Sequence, residues 1–333
     1  MDEITDMDAT YKELTMLPET FKAYRLLKTL RLDHNQLSSL PDWILSFYGL
    51  EALHVDHNVL EALPKNIGSL IHLKHLSVHH NRITSFPDSL WQMLRLEVLV
   101  IGDNPVGRLP DDLGRLMFLR ELYIHNMNLS ELPFIIGILS DLKTLDAAHN
   151  QLTELPDTMG DLTHLTDFLY LSNNRLSILP ASMARLTRLR YLNLTDNQFT
   201  ALPDWFGALV SLRELRLYNN RLMTLPDSLG QLVDLRELYL NNNALIALPE
   251  SIGACVALTH LDLRNNQLLA LPDSMSGLHN LTFLDLRANR LTMLPAWVRD
   301  LPRLQKLDLR WTKLHEYPSW LDDLEARGCL VYR

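Results

Sequence analysis

The chain of 333 residues has 31 lysine and arginine residues against 40 aspartate and glutamate residues, which gives a formal net charge of −9. This acidic balance argues against nucleic acid and anionic membrane as main partners. Apolar residues make up 47% of the chain, which is ample for a continuous core. No apolar run reaches the roughly 18 residues of a membrane-spanning helix.

A leucine–proline step recurs along the chain at intervals of 23 residues, with one longer interval between Pro156 and Pro180. A fixed period of this length predicts a solenoid, which grows by stacking units. We therefore expect a single domain over residues 1–333, with a degenerate capping repeat at 1–26, regular repeats at 27–318 and a C-terminal cap at 319–333. The prolines of the step are Pro18, Pro41, Pro64, Pro87, Pro110, Pro133, Pro156, Pro180, Pro203, Pro226, Pro249, Pro272, Pro295 and Pro318.

The first unit is degenerate and suits a cap. Counting back one period from the second unit places Ile4, Met7 and Ala9 at leucine positions. Lys12 then stands where later repeats carry an asparagine. The open end of a solenoid needs a polar covering, and the acidic residues around these positions provide one.

Two features of the sequence predict a reducing compartment. The N-terminal residues are acidic and lack the charged-then-apolar pattern of a signal sequence. Cys255 and Cys329 lie three repeats apart, which places them beyond disulfide reach at roughly 4.8 Å per stacked strand. We expect the cytoplasm, or a host cytosol if the protein is exported without a cleaved signal.

The repeat at residues 235–253 shows the pattern most clearly. Its leucines alternate at the strand period, so Leu238 and Leu240 are predicted to point inward. Asn243 follows at a buried turn, where its side chain can bond the backbone of its own and the neighbouring unit. Pro249 then starts a short helical or 3-10 segment, in whose first turn a missing N–H has no cost. The same asparagine position holds Asn35, Asn58, Asn81, Asn104, Asn150, Asn174, Asn197, Asn220, Asn266 and Asn289.

The motif of this repeat, LxxLxLxxNxLxxLPxxIGxL, resembles the 23-residue leucine-rich repeats of Ras-suppressor-like and plant intracellular Ras-group proteins. It also resembles the repeats of many bacterial proteins, including some effectors. The resemblance covers the chain from about residue 4 to its end. It implies an α/β leucine-rich repeat solenoid, a right-handed superhelix or horseshoe with a parallel sheet on the concave face and short helical or 3-10 segments on the convex face.

Histidines are concentrated in the first half of the chain, where nine of the thirteen lie at or before His149. Imidazole and carboxylate are the usual ligands of zinc and related ions. A metal-binding or metal-sensing site of His54, His75 and His79 is therefore one hypothesis. A polar face that happens to use histidine is an alternative, and a contact sensitive to pH near about 6 is another. The two neighbouring units that carry the cluster hold His54, His57, His75, His79 and His80, with Asp33 and Asp56 nearby.

The extra residue of the long interval falls between Leu165 and Leu169, which are one residue further apart than in other repeats. A residue inserted in a strand predicts a bulge, and bulges can re-aim side chains beside a site. A tolerated insertion at Asp167–Phe168 without a function is the other interpretation. Met127, which replaces the recurring asparagine, is a second irregularity in the middle of the chain.

Outward strand positions have no role in packing, so their residue types are free to encode binding. In the middle repeats these positions are rich in tyrosine and arginine, which dominate the energetic centres of protein interfaces. The high β-propensity of tyrosine is an explanation that needs no function. The predicted partner-binding residues are Tyr123, Tyr170, Tyr191, Arg216, Tyr218, Tyr239, Arg264 and Arg287, centred on Tyr170, Arg216, Tyr218 and Tyr239.

The sequence Leu-Asp-Leu-Arg recurs in three successive repeats, at 261–264, 284–287 and 307–310. It predicts a row of aspartates beside a row of arginines. The two rows can neutralise each other as a surface ladder that contributes little free energy. They can also form a recognition stripe for a partner of alternating charge.

At the C-terminal end, residues 329–332 are predicted to form a last strand that seals the core, with Cys329 buried in it. On the convex side, Trp297 and Trp320 occupy equivalent positions in adjacent units, where we expect packing between helical turns or, alternatively, a dimer contact. No glycine-rich phosphate loop, HExxH or GxSxG motif occurs. We therefore expect a monomeric, non-catalytic scaffold that binds a protein partner on its concave face and needs no cofactor.

Overall fold

A three-residue strand opens each repeat, because the leucine spacing leaves one inward side chain between two outward ones. The structure, a computed structural model, describes residues 4–333. The chain divides into two compact units, Met1–Leu165 and Thr166–Arg333. The strands of the first unit are β1 Asp6–Asp8, β2 Thr29–Arg31, β3 Ala52–His54, β4 His75–Ser77, β5 Val98–Val100, β6 Glu121–Tyr123 and β7 Thr144–Asp146. Those of the second unit are β8 Phe168–Tyr170, β9 Tyr191–Asn193, β10 Glu214–Arg216, β11 Glu237–Tyr239, β12 His260–Asp262, β13 Phe283–Asp285, β14 Lys306–Asp308 and β15 Leu330–Tyr332.

Within each unit the strands run parallel and pair one repeat apart. In the first unit, Leu53 of β3 pairs with Leu30 of β2 on one side and with Leu76 of β4 on the other. In the second unit, Leu169 of β8 pairs with Leu192 of β9. The central leucine of every strand from β2 to β14 is fully buried. The predicted α/β solenoid with parallel strands is confirmed.

Short helices follow the strands and complete each repeat. The 3-10 helices of the first unit are Glu19–Ala23, Asp42–Ser46, Ile67–Ser69, Asp88–Gln92, Asp111–Arg115, Phe134–Ile138 and Asp157–Asp161. Those of the second unit are Ala181–Arg185, Asp204–Ala208, Asp227–Gln231, Glu250–Ala254 and Asp273–Gly277. Two short α-helices come after them, α1 Trp297–Asp300 and α2 Leu321–Ala326.

The short helix of the repeat begins one residue after the proline, whereas the sequence predicted the proline in its first turn. Pro249 is extended, with φ −68° and ψ 147°, and the helix begins at the next residue, Glu250. The Pro249 carbonyl accepts the amide N–H of Ile252 at 3.1 Å. The proline therefore fixes an extended entry and supplies an acceptor for the first turn, instead of occupying that turn itself.

The asparagine ladder is structural, as predicted. Asn104 is fully buried. Its Nδ2 donates to the carbonyl oxygens of Val78 and Ile101, each at 3.0 Å. Its Oδ1 accepts the amide N–H of Ile83 at 3.0 Å. One side chain thus satisfies backbone groups of two neighbouring repeats, which a buried turn requires.

The extra residue of the long interval is accommodated just before β8. The amide N–H of Arg190 donates to the carbonyl of Thr166 at 3.2 Å, whereas Phe168 pairs with Tyr191 at the ordinary offset of one period. Asp167 therefore holds the additional position. The pairing of β8 with β9 is regular, and a functional role for the insertion stays a prediction.

The two ends of the described chain are covered in different ways. Near the N-terminal end, β1 pairs with β2 and Ala9 is buried. Near the C-terminal end, β15 pairs with β14 and places Val331 beside Leu307, which confirms the predicted last strand. Cys329 is buried there, and both cysteines are free thiols. In the part of the chain that the structure describes, no helix has the length and apolar character to cross a membrane.

Candidate functional site

The sheet of the second unit has a face opposite its core, which we call the strand face. Each strand from β8 to β14 places its first and third residues there, because its middle residue is the buried leucine. Residues at these positions form an unbroken line of side-chain contacts that ends on β15. We name this line the aromatic row, and its members are Phe168, Tyr170, Tyr191, Arg216, Tyr239, His260, Phe283, Lys306 and Tyr332.

The first part of the aromatic row is a cluster of rings with one cation. The ring centroid of Tyr191 lies 5.4 Å from that of Phe168 and 5.0 Å from that of Tyr170. The Arg216 guanidinium carbon lies 5.6 Å from the centroid of Tyr191 and 5.2 Å from that of Tyr239. Both distances are within cation–π range, so Arg216 links the rings on either side of it.

The second part of the row continues with the same contacts. His260 lies 4.9 Å from Tyr239, and it stacks on Phe283 with centroids 4.0 Å apart and planes 4° apart. The Lys306 Nζ atom lies 4.9 Å from the Phe283 centroid and 5.4 Å from that of Tyr332. The row thus alternates aromatic surface with positive charge.

Two glutamates hold polar groups of the row in place. Glu214 Oε1 accepts a hydrogen bond from Arg216 Nε at 2.6 Å. Glu237 Oε2 accepts one from the Tyr239 hydroxyl at 2.7 Å. Burial raises the pKa of Tyr191 to about 12. Burial, helped by the Glu237 bond, also raises the pKa of Tyr239. Both phenols are therefore protonated hydrogen-bond donors at neutral pH.

The structure gathers some of the predicted partner-binding residues and separates others. Tyr218 lies two residues after Arg216, half-buried, in a column beside the aromatic row. Tyr123 belongs to the first unit, where its hydroxyl donates to Glu121 at 2.9 Å. The predicted residues that join the row are Tyr170, Tyr191, Arg216 and Tyr239.

The sequence analysis missed five members of the row. Four of them, Phe168, His260, Phe283 and Lys306, stand immediately before the strand leucine, the column that also holds the predicted Tyr191. The first and third residues of a strand share a face, so the period of two already contained this signal. Tyr332 lies in the segment predicted as a cap, and nothing in that segment repeats.

Arg264 and Arg287, the other predicted contact residues, belong to a ladder of ion pairs. Arg287 Nε donates to Asp285 Oδ1 at 2.9 Å and lies 3.3 Å from Asp308 Oδ2. The side chains of these aspartates are 1% and 0% exposed. Arg264 Nε is further from Asp262, at 3.5 Å, and 44% of its side chain is exposed. These contacts favour the self-neutralised ladder over the recognition stripe.

In the first unit, carboxylates and imidazoles alternate across neighbouring repeats, near the ends of β3 to β7. We name this group the histidine–aspartate chain, and its order is Asp56, His79, Asp103, His125 and Asp146. His79 lies 3.8 Å from Asp56 through Nε2 and 3.6 Å from Asp103 through Nδ1. His125 lies 3.1 Å from Asp103 through Nε2 and 3.3 Å from Asp146 through Nδ1. Each imidazole therefore stands between two carboxylates.

Burial, hydrogen bonds and neighbouring charges shift the pKa values of three members of the histidine–aspartate chain. The Asp146 carboxylate 3.3 Å from Nδ1, with the Asp103 charge beside it, raises the pKa of His125 despite partial burial. Although burial would raise the pKa of Asp103, the Asn126 hydrogen bond and the His125 charge hold it below its ordinary value. The pKa of Asp56 is raised by burial. The raised pKa of His125 favours positive charge on this imidazole.

The structure places the histidines of the metal hypothesis in two different settings. His54 and His75 contact each other, with ring centroids 4.4 Å apart. Burial lowers the pKa of His75 to about 4, so this imidazole is neutral at pH 7. Within residues 4–333, the group of three side chains placed to hold one ion is His79, Asp103 and His125. The sequence hypothesis missed Asp103 and His125, although His125 stands in the same repeat column as His79.

Comparison with known proteins identifies the repeats. Leucine-rich repeat family profiles match residues 26–47, 48–106, 141–199 and 200–245. A further profile, described as a leucine-rich repeat region, matches residues 226–326. No curated protein matches the sequence at a significant level.

Solved structures of leucine-rich repeat proteins share this fold. The protein LIC12759 of Leptospira interrogans is 35% identical, with a TM-score of 0.91 over 96% of this chain and 82% of that one. The plant peptide hormone receptor RGFR1, solved in complex with RGF2, is 31% identical, with a TM-score of 0.78 over 89% of this chain. This chain spans 50% of that receptor's length. An internalin of Listeria monocytogenes shows the fold alone, at 20% identity and a TM-score of 0.80 over 92% of this chain and 86% of that one. The chain therefore belongs to the leucine-rich repeat proteins.

Proposed function

We propose that this protein is a non-catalytic interaction scaffold that binds an extended segment of a protein partner along the aromatic row. The observation that carries the proposal is the unbroken line of ring and cation contacts from Phe168 to Tyr332. The core does not need these side chains, because the middle leucine of each strand from β8 to β14 already fills it. Their outward position makes them available to a partner.

The length of the row fits an extended segment. The row crosses eight strands, β8 to β15. At roughly 4.8 Å between neighbouring strands, it extends over about 34 Å. An extended chain rises about 3.3 Å per residue, so a segment of about ten residues matches the row from end to end.

The chemistry of the row suits tight binding. Tyrosine and arginine bury a large area while keeping a polar tip, and they dominate the energetic centres of interfaces. Arg216 is already held between two rings and bonded to Glu214. Side chains that are held before the partner arrives lose little conformational entropy on binding. The row is therefore pre-organised, and we expect its centre at Tyr191, Arg216 and Tyr239.

The relatives support the class of partner. The plant receptor that is 31% identical over half of its own length is described as a peptide hormone receptor in complex with RGF2. Recognition of a peptide segment by this chain is our extension of that observation. A role in signalling or as a bacterial effector, a cytoplasmic or host-cytosolic location and a monomeric state stay predictions.

Affinity capture from the native cell tests the proposal. The bait proteins are the wild type, the double variant Tyr191→Ala/Arg216→Ala and the control Arg236→Ala, whose side chain is exposed outside the row. We expect a partner that binds the wild type and the control but binds the double variant at least tenfold more weakly. A double variant whose affinity stays within about 1 kcal/mol of wild type contradicts this centre. Circular dichroism of each bait verifies that the fold is kept.

A further inference from the structure

A missing side chain allows His79 and His125 to approach each other. They follow β4 and β6, two strands whose backbones are about 10 Å apart at the ordinary strand spacing. Gly102 stands at the equivalent position after β5, between them. The two ring centroids are 6.2 Å apart. A Cβ atom on Gly102 would lie 2.7 Å from His125 Cε1, so only glycine leaves the room that the His125 ring uses.

Asp103 completes a set of three donor atoms in this space. Its Oδ2 atom lies 3.1 Å from His125 Nε2 and 3.6 Å from His79 Nδ1. Ligand atoms at about 2.0–2.1 Å from a tetrahedral zinc ion are about 3.3 Å apart, so both distances match that geometry. One atom from each of the three residues lies within 4.8 Å of the other two.

Each of the three side chains has a second polar neighbour, on the side away from the proposed ion. Asp56 lies 3.8 Å from the other nitrogen of His79, and Asp146 lies 3.3 Å from the other nitrogen of His125. The second oxygen of Asp103 accepts a hydrogen bond from Asn126 at 2.6 Å. Metal-bound histidines characteristically give their remaining N–H to a carboxylate, which fixes the tautomer and the ring orientation. Here a carboxylate faces the remaining nitrogen of each imidazole, although neither contact is yet a hydrogen bond, because His125 Nδ1 has no partner and the Asp56 contact is too long.

We propose that His79, Asp103 and His125 bind one divalent transition-metal ion of the zinc class, with a fourth position open to water. His79 Nδ1 is buried and has no hydrogen-bond partner, although it faces the Asp103 carboxylate. A metal ion at that position supplies the missing partner. Two imidazole nitrogens and one carboxylate oxygen are ligands that zinc accepts in open sites. The site lies in the first unit and does not depend on binding along the aromatic row.

The proposal is tested by zinc binding to the full chain, purified without a tag and stripped of metal with a chelator. Titration with Zn²⁺ in competition with a chromophoric chelator gives stoichiometry and affinity, and Co²⁺ gives an absorption spectrum that reports the coordination geometry. We expect one ion per chain, a tetrahedral Co²⁺ spectrum, and a higher melting temperature with Zn²⁺ that returns to its starting value on adding chelator. Absence of stoichiometric Zn²⁺ binding at micromolar concentrations overturns the site.

Variants locate the ion. His79→Ala and His125→Ala are each expected to weaken zinc binding at least tenfold, and Asp146→Asn, which removes an outer partner, by about tenfold. His54→Ala and His75→Ala are the matched controls and should leave the affinity unchanged. Binding that survives His79→Ala and His125→Ala, or that is lost in His54→Ala and His75→Ala instead, overturns the assignment. The Co²⁺ spectrum of the wild type keeps the test decisive if a variant does not fold.

Discussion

Gly102 and His125 compete for one space across neighbouring repeats. A Cβ atom on Gly102 would lie 2.7 Å from His125 Cε1 and 2.8 Å from both His125 Nδ1 and the His125 backbone carbonyl oxygen. The φ angle of Gly102 lies outside the left-handed region that favours glycine, so the need for glycine comes from this contact and not from the backbone. The absence of a side chain at Gly102 therefore determines where the His125 imidazole lies.

Gly102→Ala is expected to push the His125 ring away from Asp103 and to lower the free energy of unfolding by about 1–3 kcal/mol, the usual cost of overpacking. Guanidinium denaturation measures the loss. The control is Gly49→Ala, because the nearest atom to a Cβ there is the Leu27 carbonyl oxygen at a comfortable 3.8 Å. The control should stay within about 0.5 kcal/mol of wild type. Equal stability of the two variants contradicts the steric argument.

Asp262→Asn is expected to stabilise the protein at neutral pH. Burial raises the pKa of Asp262 from its ordinary 3.8 to about 6. The folded state therefore holds this proton more tightly than the unfolded state. The stability that the proton provides is complete below about pH 4 and is lost as the pH rises through about 6. An asparagine has no proton to lose, and its side-chain oxygen can still accept the Arg264 amide N–H, now 3.1 Å from Asp262 Oδ1.

The measurement is the free energy of unfolding of wild type and Asp262→Asn across this pH range. We expect the variant to be more stable by about 1–2 kcal/mol at pH 7, and the difference to disappear near pH 4. Asp234→Asn, at an exposed position, is the control and should follow the wild type at every pH. A constant difference between Asp262→Asn and wild type across the range contradicts the explanation.

His75 has the opposite dependence on pH. Burial, with the charge of His54 next to it, lowers the pKa of His75 from 6.5 to about 4. The folded state disfavours the protonated ring, so the stability contributed by neutral His75 is present above about pH 6.5 and is lost as the pH falls to about 4. His75→Gln cannot gain the proton. Between pH 7 and pH 4.5 it should lose about 1 kcal/mol less stability than wild type, a value reduced for the partly exposed ring.

Thermal unfolding at matched pH values tests the His75 prediction. His164→Gln, at an exposed position, controls for the general effect of removing a histidine. Its acid-induced loss of stability should equal that of wild type. If His75→Gln and His164→Gln lose the same stability on acidification, burial of His75 is not the cause.

The repeat and part of the aromatic row could be predicted from the sequence. The fixed period places Leu169 in β8 and Asn104 in its ladder without any structural information, because each stacked unit reuses one pattern. Tyr191 and Arg216 were predicted from the tyrosine and arginine content of the outward positions. Phe168 and His260 were missed, although the column before the strand leucine shares the same face.

The histidine–aspartate chain could not be predicted in the same way. Asp103 adopts a left-handed φ of 53°, and the direction of its carboxylate depends on that turn. The approach of His79 to His125 depends on the space above Gly102, which is a contact between residues of different strands. A pattern within one repeat contains neither fact. The local chemistry therefore depends on contacts between repeats at irregular positions. Only the three-dimensional structure shows these contacts.

Asn104→Ala tests how much one rung of the asparagine ladder contributes. The change removes the acceptor of the Ile83 amide N–H and the donor to the carbonyls of Val78 and Ile101. These groups lie in buried turns, where an unsatisfied backbone group costs about 1–3 kcal/mol. We expect the free energy of unfolding to fall by about 2–4 kcal/mol, measured by urea denaturation.

The control for Asn104→Ala is Asn66→Ala. Asn66 is exposed, and its φ of −105° is one that alanine adopts without strain. That variant should change stability by no more than about 0.5 kcal/mol, because the side chain lies at the surface. Similar losses in the two variants would mean that burial of the rung does not determine its contribution. A large loss confined to Asn104→Ala means that the recurring asparagine stabilises the stack through backbone groups that solvent cannot reach.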